Sequence, residues 1–160
     1  MTPYCTCPSA TPAIETHQAG IPVTVIPGIT AAMGAAAAAG IPLTHRDCAQ
    51  AVTLVTGRPK PGGVEADWGA LARSNHTVVV YMGVGAAPRI QEALVGQGRS
   101  GATPVAIVQE ATRPTQRVVR GRLGGLAALV EATGVRPPAL LIIGEVAAQG
   151  VRSEARRAAV

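Results

Sequence analysis

The stretch HTVVVYMGVGAAPRIQEAL, residues 76–94, joins an apolar β-branched run to a glycine-rich turn and an amphipathic run. The first run is apolar on both faces, as is typical of a buried central strand. Ile90 and Leu94 recur at helical spacing after the turn. The stretch therefore predicts a strand over residues 76–82, a turn at Gly83-Val84-Gly85 and a helix behind it.

The same alternation continues on both sides of this stretch. Further strands are predicted at residues 21–26, 51–56, 104–108, 116–120 and 139–144, and further helices at 30–39, 68–73 and 123–133, with Gly40 and Asp67 as caps. Strands that alternate with helices indicate an α/β fold. Because residues 116–120 follow the strand at 104–108 without a helix between them, at least one pair is predicted to be antiparallel. The predicted fold is α/β, a mixed sheet of five to six strands with flanking helices.

The composition excludes several classes of protein. The chain has 160 residues, a net charge of +5, 14% charged and 48% hydrophobic residues, which indicates one folded domain rather than a disordered chain. Aromatic residues make up 2%, too few for the base-stacking surfaces of single-stranded nucleic-acid binders. The apolar run at residues 31–39 is far shorter than the roughly 20 residues that span a bilayer. We therefore expect neither a nucleic-acid partner nor a membrane partner.

Cysteine usage bears on both location and metal binding. Three cysteines do not make a disulfide framework, and the N-terminus lacks the pattern of a secretory signal, so a cytoplasmic protein is predicted. Cys5 and Cys7 with His17 offer thiolate and imidazole ligands, but a fourth zinc ligand is missing. No metal site is predicted.

The glycine-rich turn also resembles part of a dinucleotide-binding fingerprint. Its third glycine is replaced by Pro88, and no acidic residue closes the following strand before Glu110. A classical dinucleotide site is disfavoured by that mismatch. A ligand near the turn remains open, because a turn without side chains at a strand end lets a ligand approach the backbone.

Several strings occur in an order typical of the tetrapyrrole methylase family. They are IPVTVIPGITAA at 21–32, GIPLTHRD at 40–47, VTG at 55–57, DW at 67–68, YMG at 81–83 and PALLIIG at 138–144. The match runs from about Glu15 to Ala148, and the chain resembles the C-terminal domain of these enzymes.

The resemblance implies a function and a set of contacts. Members that act on uroporphyrinogen III transfer methyl groups to it from S-adenosylmethionine, giving precorrin-2 for sirohaem and cobalamin synthesis, and work as homodimers. Thr30, Ala31 and Met82 match cofactor contacts of the family, and Ala111 matches a further cofactor contact, at a position where the family commonly has glycine.

Arginines are the candidates for substrate binding. The implied substrate is a polycarboxylate, and arginine forks suit carboxylates. Arg46, Arg113 and Arg117 are the predicted substrate-binding residues.

The resemblance also sets the expected domain limits. The family's first domain carries a cofactor loop, a Gly-Gly-Asp motif and the acid/base residues of catalysis, and residues 1–14 resemble none of it. We predict an unstructured lead-in over 1–14, the C-terminal domain over 15–148 and a charged tail over 149–160, with the N-terminal domain absent. No catalytic residue is then assigned to this chain, and little or no activity is expected of it alone. The alternative is a non-catalytic module that dimerises or binds a ligand.

Overall fold

A mixed sheet lies at the centre of the computed structural model, which describes residues 11–59 and 62–150. Its five strands within these ranges are β1 (Ala51–Thr56), β2 (His76–Tyr81), β3 (Pro104–Gln109), β4 (Arg117–Arg122) and β5 (Ala139–Ile143), in the order β1-β2-β5-β3-β4. β1 and β2 are parallel, and β5 runs antiparallel to both β2 and β3. β3 and β4 are antiparallel. The predicted mixed α/β sheet and its antiparallel pair are confirmed.

Helices cover both faces of the sheet. They are α2 (Ala31–Ala39), α3 (Trp68–Leu71), α4 (Ala87–Gly96) and α5 (Leu126–Thr133). A further helix, α1 (Thr11–Gln18), contributes none of its described side chains to either cluster of buried residues. On one face, α3, α4 and α5 bury large side chains such as Trp68, Ile90 and Leu126. On the other face, α2 buries only alanines against Val79 and Ile142. The predicted caps are confirmed, because Gly40 has φ +65° and Asp67 accepts a hydrogen bond of 3.0 Å from the Ala70 N–H.

Helix α2 faces the sheet with small side chains. Ala32 and Ala35 have no exposed surface, so the apolar contact between this helix and the strands is made by methyl groups. The sheet faces it with residues that are themselves fully buried, among them Val79 and Ala106. The first turn of α2 lies beside the carboxyl end of β2, because the Ala32 N–H is within hydrogen-bond distance of the Tyr81 hydroxyl.

The strand predicted at residues 21–26 is wrong. Residues 21–30 form neither helix nor strand, and Val25 and Ile26 are 62% and 68% exposed. The segment is rich in β-branched residues, but strand propensity acts only where the backbone finds a pairing partner. None of the described strands pairs with it, so no sixth strand forms.

The predicted limits of the chain's ends are tested only in part. Helix α1 begins at Thr11, so the unstructured lead-in expected through residue 14 is wrong for residues 11–14. Pro12 lies in the first turn, where a backbone N–H has no acceptor within the helix, so a proline costs no hydrogen bond there. Residues 1–10, with Cys5 and Cys7, and residues 151–160 of the expected tail lie outside the described residues.

Candidate functional site

A cavity of about 850 Å³ opens at one edge of the sheet. The carboxyl ends of β2 and β3 and the amino end of β5 meet there, beside the first turn of α2. Tyr81, Met82, Val108, Leu140 and Ala31 are among its lining residues. The volume lies within the roughly 300–1,000 Å³ typical of small-molecule sites, and strand ends are where open α/β sheets bind ligands.

Backbone strain is concentrated at this cavity. Among the described residues other than glycine, Met82, Glu110 and Thr112 have positive φ angles of 52°, 48° and 70°. The first two line the cavity, and the third lies in the turn after Ala111, which also lines it. Left-handed backbone costs a non-glycine residue about 1–3 kcal/mol and is often retained at ligand sites. The strain therefore makes this edge of the sheet the candidate ligand site.

Hydrogen bonds from two polar side chains, Tyr81 and Gln116, hold the two ends of α2. The Tyr81 hydroxyl accepts a hydrogen bond of 2.9 Å from the Ala32 N–H and shares another with the Thr30 hydroxyl. At the other end of the helix, the Gln116 amide donates to the Ala38 carbonyl at 3.0 Å. Gln116 also accepts from the Thr112 N–H at 2.7 Å, so it joins the turn after β3 to α2.

The charged groups of the cavity are Arg58, Glu110 and Arg113. Neither arginine makes an ion pair with another described residue. Most of the remaining lining is apolar, including Pro137 and Pro138. The cavity therefore offers apolar walls to a flat ring, together with cations and one carboxylate for the charged groups of a ligand.

Arg89 braces the loop that carries Arg58. Its guanidinium donates to the Gly57 carbonyl at 2.8 Å and to Glu65 at 2.9 Å. It also lies 5.8 Å from the centre of the Trp68 ring. Since Gly57 immediately precedes Arg58, this brace fixes where the loop leaves β1.

The perturbed titratable groups lie outside the cavity. His76 begins β2 at the opposite end of the strand, and its pKa is lowered by burial and then by the positive charges of Arg99 and Arg73. Burial also lowers the pKa of Arg99, which donates to the carbonyls of Leu71 and His76 at 2.8 and 2.7 Å. The pKa of Cys48 is raised by burial and by the nearby Glu145 and Asp47. These shifts accompany structural contacts.

The cavity brings together most of the predicted cofactor contacts. Ala31, Met82 and Ala111 line it, whereas Thr30 lies next to it and bonds to the lining residue Tyr81. The glycine-rich turn after β2 contributes Val84 to the wall.

The predicted substrate-binding arginines are separated. Arg113 lines the cavity, but Arg46 and Arg117 are not among the lining residues. Arg46 lies in the exposed turn between His45 and Ala49. Arg117 begins the edge strand β4 and donates to the Thr133 carbonyl at 3.2 Å.

Several lining residues are not among the residues that the sequence predicts for the site. Arg58 and Glu110 each follow a strand end, so the rule that ligands bind at the carboxyl ends of parallel strands offered a way to find Arg58. The sequence pattern assigns no ligand contact to Glu110, which is only the first acidic residue that closes a strand after the glycine-rich turn. Pro137 and Pro138 line the cavity from the loop that precedes β5, and their role depends on the antiparallel placement of that strand.

Comparison with known proteins settles the family. The family model of the tetrapyrrole (corrin/porphyrin) methylases matches residues 7–127. The chain belongs to the tetrapyrrole methylase family. The siroheme synthase of Pseudoalteromonas translucida is 56% identical over 123 residues, which are 77% of this chain and 26% of that protein. The chain thus spans about a quarter of the length of this relative.

Solved structures of tetrapyrrole methylases share the fold. The uroporphyrin-III C-methyl transferase of Thermus thermophilus, complexed with S-adenyl homocysteine, superposes with a TM-score of 0.75 at 37% identity, over 90% of this chain and 60% of that one. A cobalt precorrin-4 methyltransferase gives a TM-score of 0.74 at 26% identity, over 84% of this chain and 57% of that one. The five-stranded mixed sheet with flanking helices is therefore a tetrapyrrole methylase architecture.

The described residues also bear on metal binding and on membrane insertion. No group of three or more His, Cys, Asp or Glu side chains is placed to hold a metal ion within residues 11–59 and 62–150. In the same ranges, no helix has the length and apolar character needed to cross a membrane.

Proposed function

We propose that the chain is part of a cytoplasmic, S-adenosylmethionine-dependent methyltransferase that acts on uroporphyrinogen III to give precorrin-2. The observation that carries this proposal is the convergence of Ala31, Met82 and Ala111 on one cavity. These residues come from three separate segments, and each matches a cofactor contact by family resemblance. A relative with this fold is complexed with the demethylated form of that cofactor.

The cavity residues suit this cofactor chemically. The apolar side chains of Met82, Val84 and Leu140 offer surfaces for an adenine ring. The Glu110 carboxylate suits an ammonium group or ribose hydroxyls, and an arginine suits the carboxylate of the amino-acid part. When bound, the cofactor supplies an activated methyl group on its sulfonium.

The two cavity arginines that form no ion pair with another described residue suit the substrate. Arg58 and Arg113 are both exposed, and both line the cavity. A polycarboxylate such as uroporphyrinogen III is attracted by these guanidinium groups and by the net charge of +5. Fork-shaped donors also fix the orientation of a carboxylate through paired hydrogen bonds.

We further propose that methyl transfer needs groups from a second domain. Glu110 is the one carboxylate among the lining residues of the described chain, and it follows a strand end where it serves cofactor binding better than proton transfer. The cavity is also bordered by residues with exposed apolar surface, such as Met82 at 49%. A chain that holds only part of such a site binds the cofactor but turns over slowly, if at all.

Isothermal titration calorimetry with S-adenosylhomocysteine tests the proposal. We expect binding by the 160-residue chain, and a Kd raised more than about tenfold by Met82→Glu. The carboxylate would lose its hydration against the adenine ring when the ligand binds, and a cost of about 1.4 kcal/mol is enough for a tenfold change. Met33→Glu is the matched control, because Met33 is 54% exposed and does not line the cavity. Absence of binding at millimolar ligand, or equal effects of the two variants, contradicts the proposal.

A second candidate is a non-catalytic module that dimerises. Ile26, Ile29 and Met33 are exposed by 68%, 85% and 54% and lie close together in the chain, which favours association. The family resemblance also implies a homodimer. Sedimentation over a range of concentrations separates the two candidates: a dimer that Ile29→Asp dissociates, in a chain that binds no S-adenosylhomocysteine, supports the module.

A further inference from the structure

We propose that Tyr81 is a positioning residue of the cofactor cavity, which its hydroxyl shapes by fixing the first turn of α2 against the end of β2. The inference rests on the function proposed above and extends it to a residue that matches no family contact. Its basis is a pair of hydrogen bonds between segments about fifty residues apart in sequence.

The first turn of α2 lacks the cap that its sequence offers. Thr30 occupies the N-cap position with an extended backbone, but its side chain makes no capping hydrogen bond to the helix. The Tyr81 hydroxyl accepts from the Ala32 N–H instead, and it also bonds to the Thr30 hydroxyl. A side chain of the sheet therefore accepts the hydrogen bond that an N-cap side chain normally accepts from the first turn of a helix.

Few other contacts can hold this turn in place. Ala32 and Ala35 fix the helix through methyl groups, which resist sliding along the sheet less than large interdigitating side chains do. Gln116 anchors the far end of the helix through the Ala38 carbonyl. The position of the first turn thus depends on Tyr81.

The two partners of Tyr81 lie on either side of a cavity residue. Ala31, between Thr30 and Ala32, lines the cavity, and so do Tyr81 and the next residue, Met82. One hydroxyl therefore fixes the position of Ala31 relative to the end of β2, where Met82 also lines the cavity. Without it, this part of the lining has to be ordered when the ligand binds, and that ordering reduces affinity.

Tyr81→Phe isolates the hydroxyl, because the ring and its packing remain. We expect the Kd for S-adenosylhomocysteine to rise about fivefold to tenfold, as the loss of one or two hydrogen bonds predicts. Hydrogen exchange of the Ala32 amide should become faster, which confirms that the bond existed in solution.

Thr53→Val is the matched control for a merely structural effect. It removes the hydrogen bond of 2.6 Å between the Thr53 hydroxyl and His76, on β1 and away from the cavity. We expect this variant to lose thermal stability while its Kd stays within about twofold of the original, since no cavity wall moves. A Kd that rises with loss of stability in both variants overturns the positioning role.

Thr30 supplies a second pair of variants should Tyr81→Phe fail to fold. Thr30→Val deletes one of the two hydrogen bonds and should speed hydrogen exchange of the Ala32 amide in the ligand-free chain, whereas Thr30→Ser keeps the hydroxyl and should exchange like the original chain. Because no ligand is present, this readout does not depend on a contact between Thr30 and the cofactor. Equal exchange of the Ala32 amide in Thr30→Val and Thr30→Ser overturns the inference.

The failure of this inference is distinct from that of the proposed function. If the unaltered chain binds no S-adenosylhomocysteine, both are overturned. If the unaltered chain and Tyr81→Phe bind equally well while the Ala32 amide exchanges faster, only the role of Tyr81 is overturned.

Discussion

Two apolar six-residue segments of this chain have opposite environments. IPVTVI, residues 21–26, and HTVVVY, residues 76–81, are both rich in β-branched residues, and each is followed closely by a glycine turn. The second is strand β2, in which Val78, Val79 and Val80 have no exposed surface. The first pairs with none of the described strands, and Val25 is 62% exposed.

The difference shows what a strand requires beyond its residue types. β2 has β1 on one side and β5 on the other, so its backbone groups are paired and both of its faces are covered. Residues 22–29 make no backbone hydrogen bond to another described residue. The same composition therefore stabilises the fold in one place and presents an apolar surface in the other.

The largest expected effect comes from placing one charge in each segment. Val79→Asp should cost about 4 kcal/mol or more of the free energy of unfolding, because an unpaired carboxylate would be buried between sheet and helix. Val25→Asp should change it by less than about 0.5 kcal/mol, because the side chain is exposed. Urea unfolding followed by circular dichroism measures both. Similar losses in the two variants would mean that residues 21–26 are packed in solution, which would contradict the difference in burial between this segment and β2.

The glycines of the two turns give a smaller contrast. A Cβ at Gly83 would lie 2.6 Å from the Leu141 Cδ1, whereas a Cβ at Gly28 would meet no atom within 4 Å. Gly83→Ala should therefore destabilise the chain by about 1–3 kcal/mol through overpacking. Gly28→Ala should be neutral or stabilising by a few tenths of a kcal/mol, since it restricts the unfolded chain. The same unfolding assay tests the pair, and a destabilising Gly28→Ala would show that its turn is packed.

The smallest expected effect is a pH dependence at the start of β2. The pKa of His76 is lowered in the folded chain, so the unfolded chain binds the proton more readily below the ordinary value of 6.5. Stability from this residue is present above that value and is lost as the pH falls through it. Lowering the pH from about 7.5 to about 5.5 should reduce the Tm about 1–2 °C more in the original chain than in His76→Gln. Equal reductions in differential scanning calorimetry would assign the pH dependence to other groups.

Much of the fold was predictable because the decisive signals are local. A few neighbouring residues are enough to predict some elements. A β-branched run that ends at a glycine gives the limits of β1, and the cap residues Asp67 and Gly40 mark helix ends. The antiparallel pairing of β3 and β4 follows from the short loop between them. The strand prediction at residues 21–26 is wrong for the complementary reason, because the residues of a segment do not show whether another strand lies beside it.

The lining of the cavity was predictable mainly where family resemblance supplied it. The matching strings point to Met82 and Ala31, which both line the cavity, but nothing local indicates that Arg58 and Pro138 line it too. Their meeting depends on the sheet order, which places β5 between β2 and β3. The hydrogen bonds of Tyr81 to the start of α2 depend on the same long-range arrangement.

The central claim is that the cavity at the strand ends holds the cofactor, and mapping the bound ligand by NMR tests it most directly. Titration of the isotope-labelled chain with S-adenosylhomocysteine should shift the amide signals of Ala31, Met82 and Ala111 together. A smaller hollow of about 510 Å³ beside Ser100 and Glu145 should show no change. Shifts confined to that hollow, or no shifts at millimolar ligand, would contradict the account.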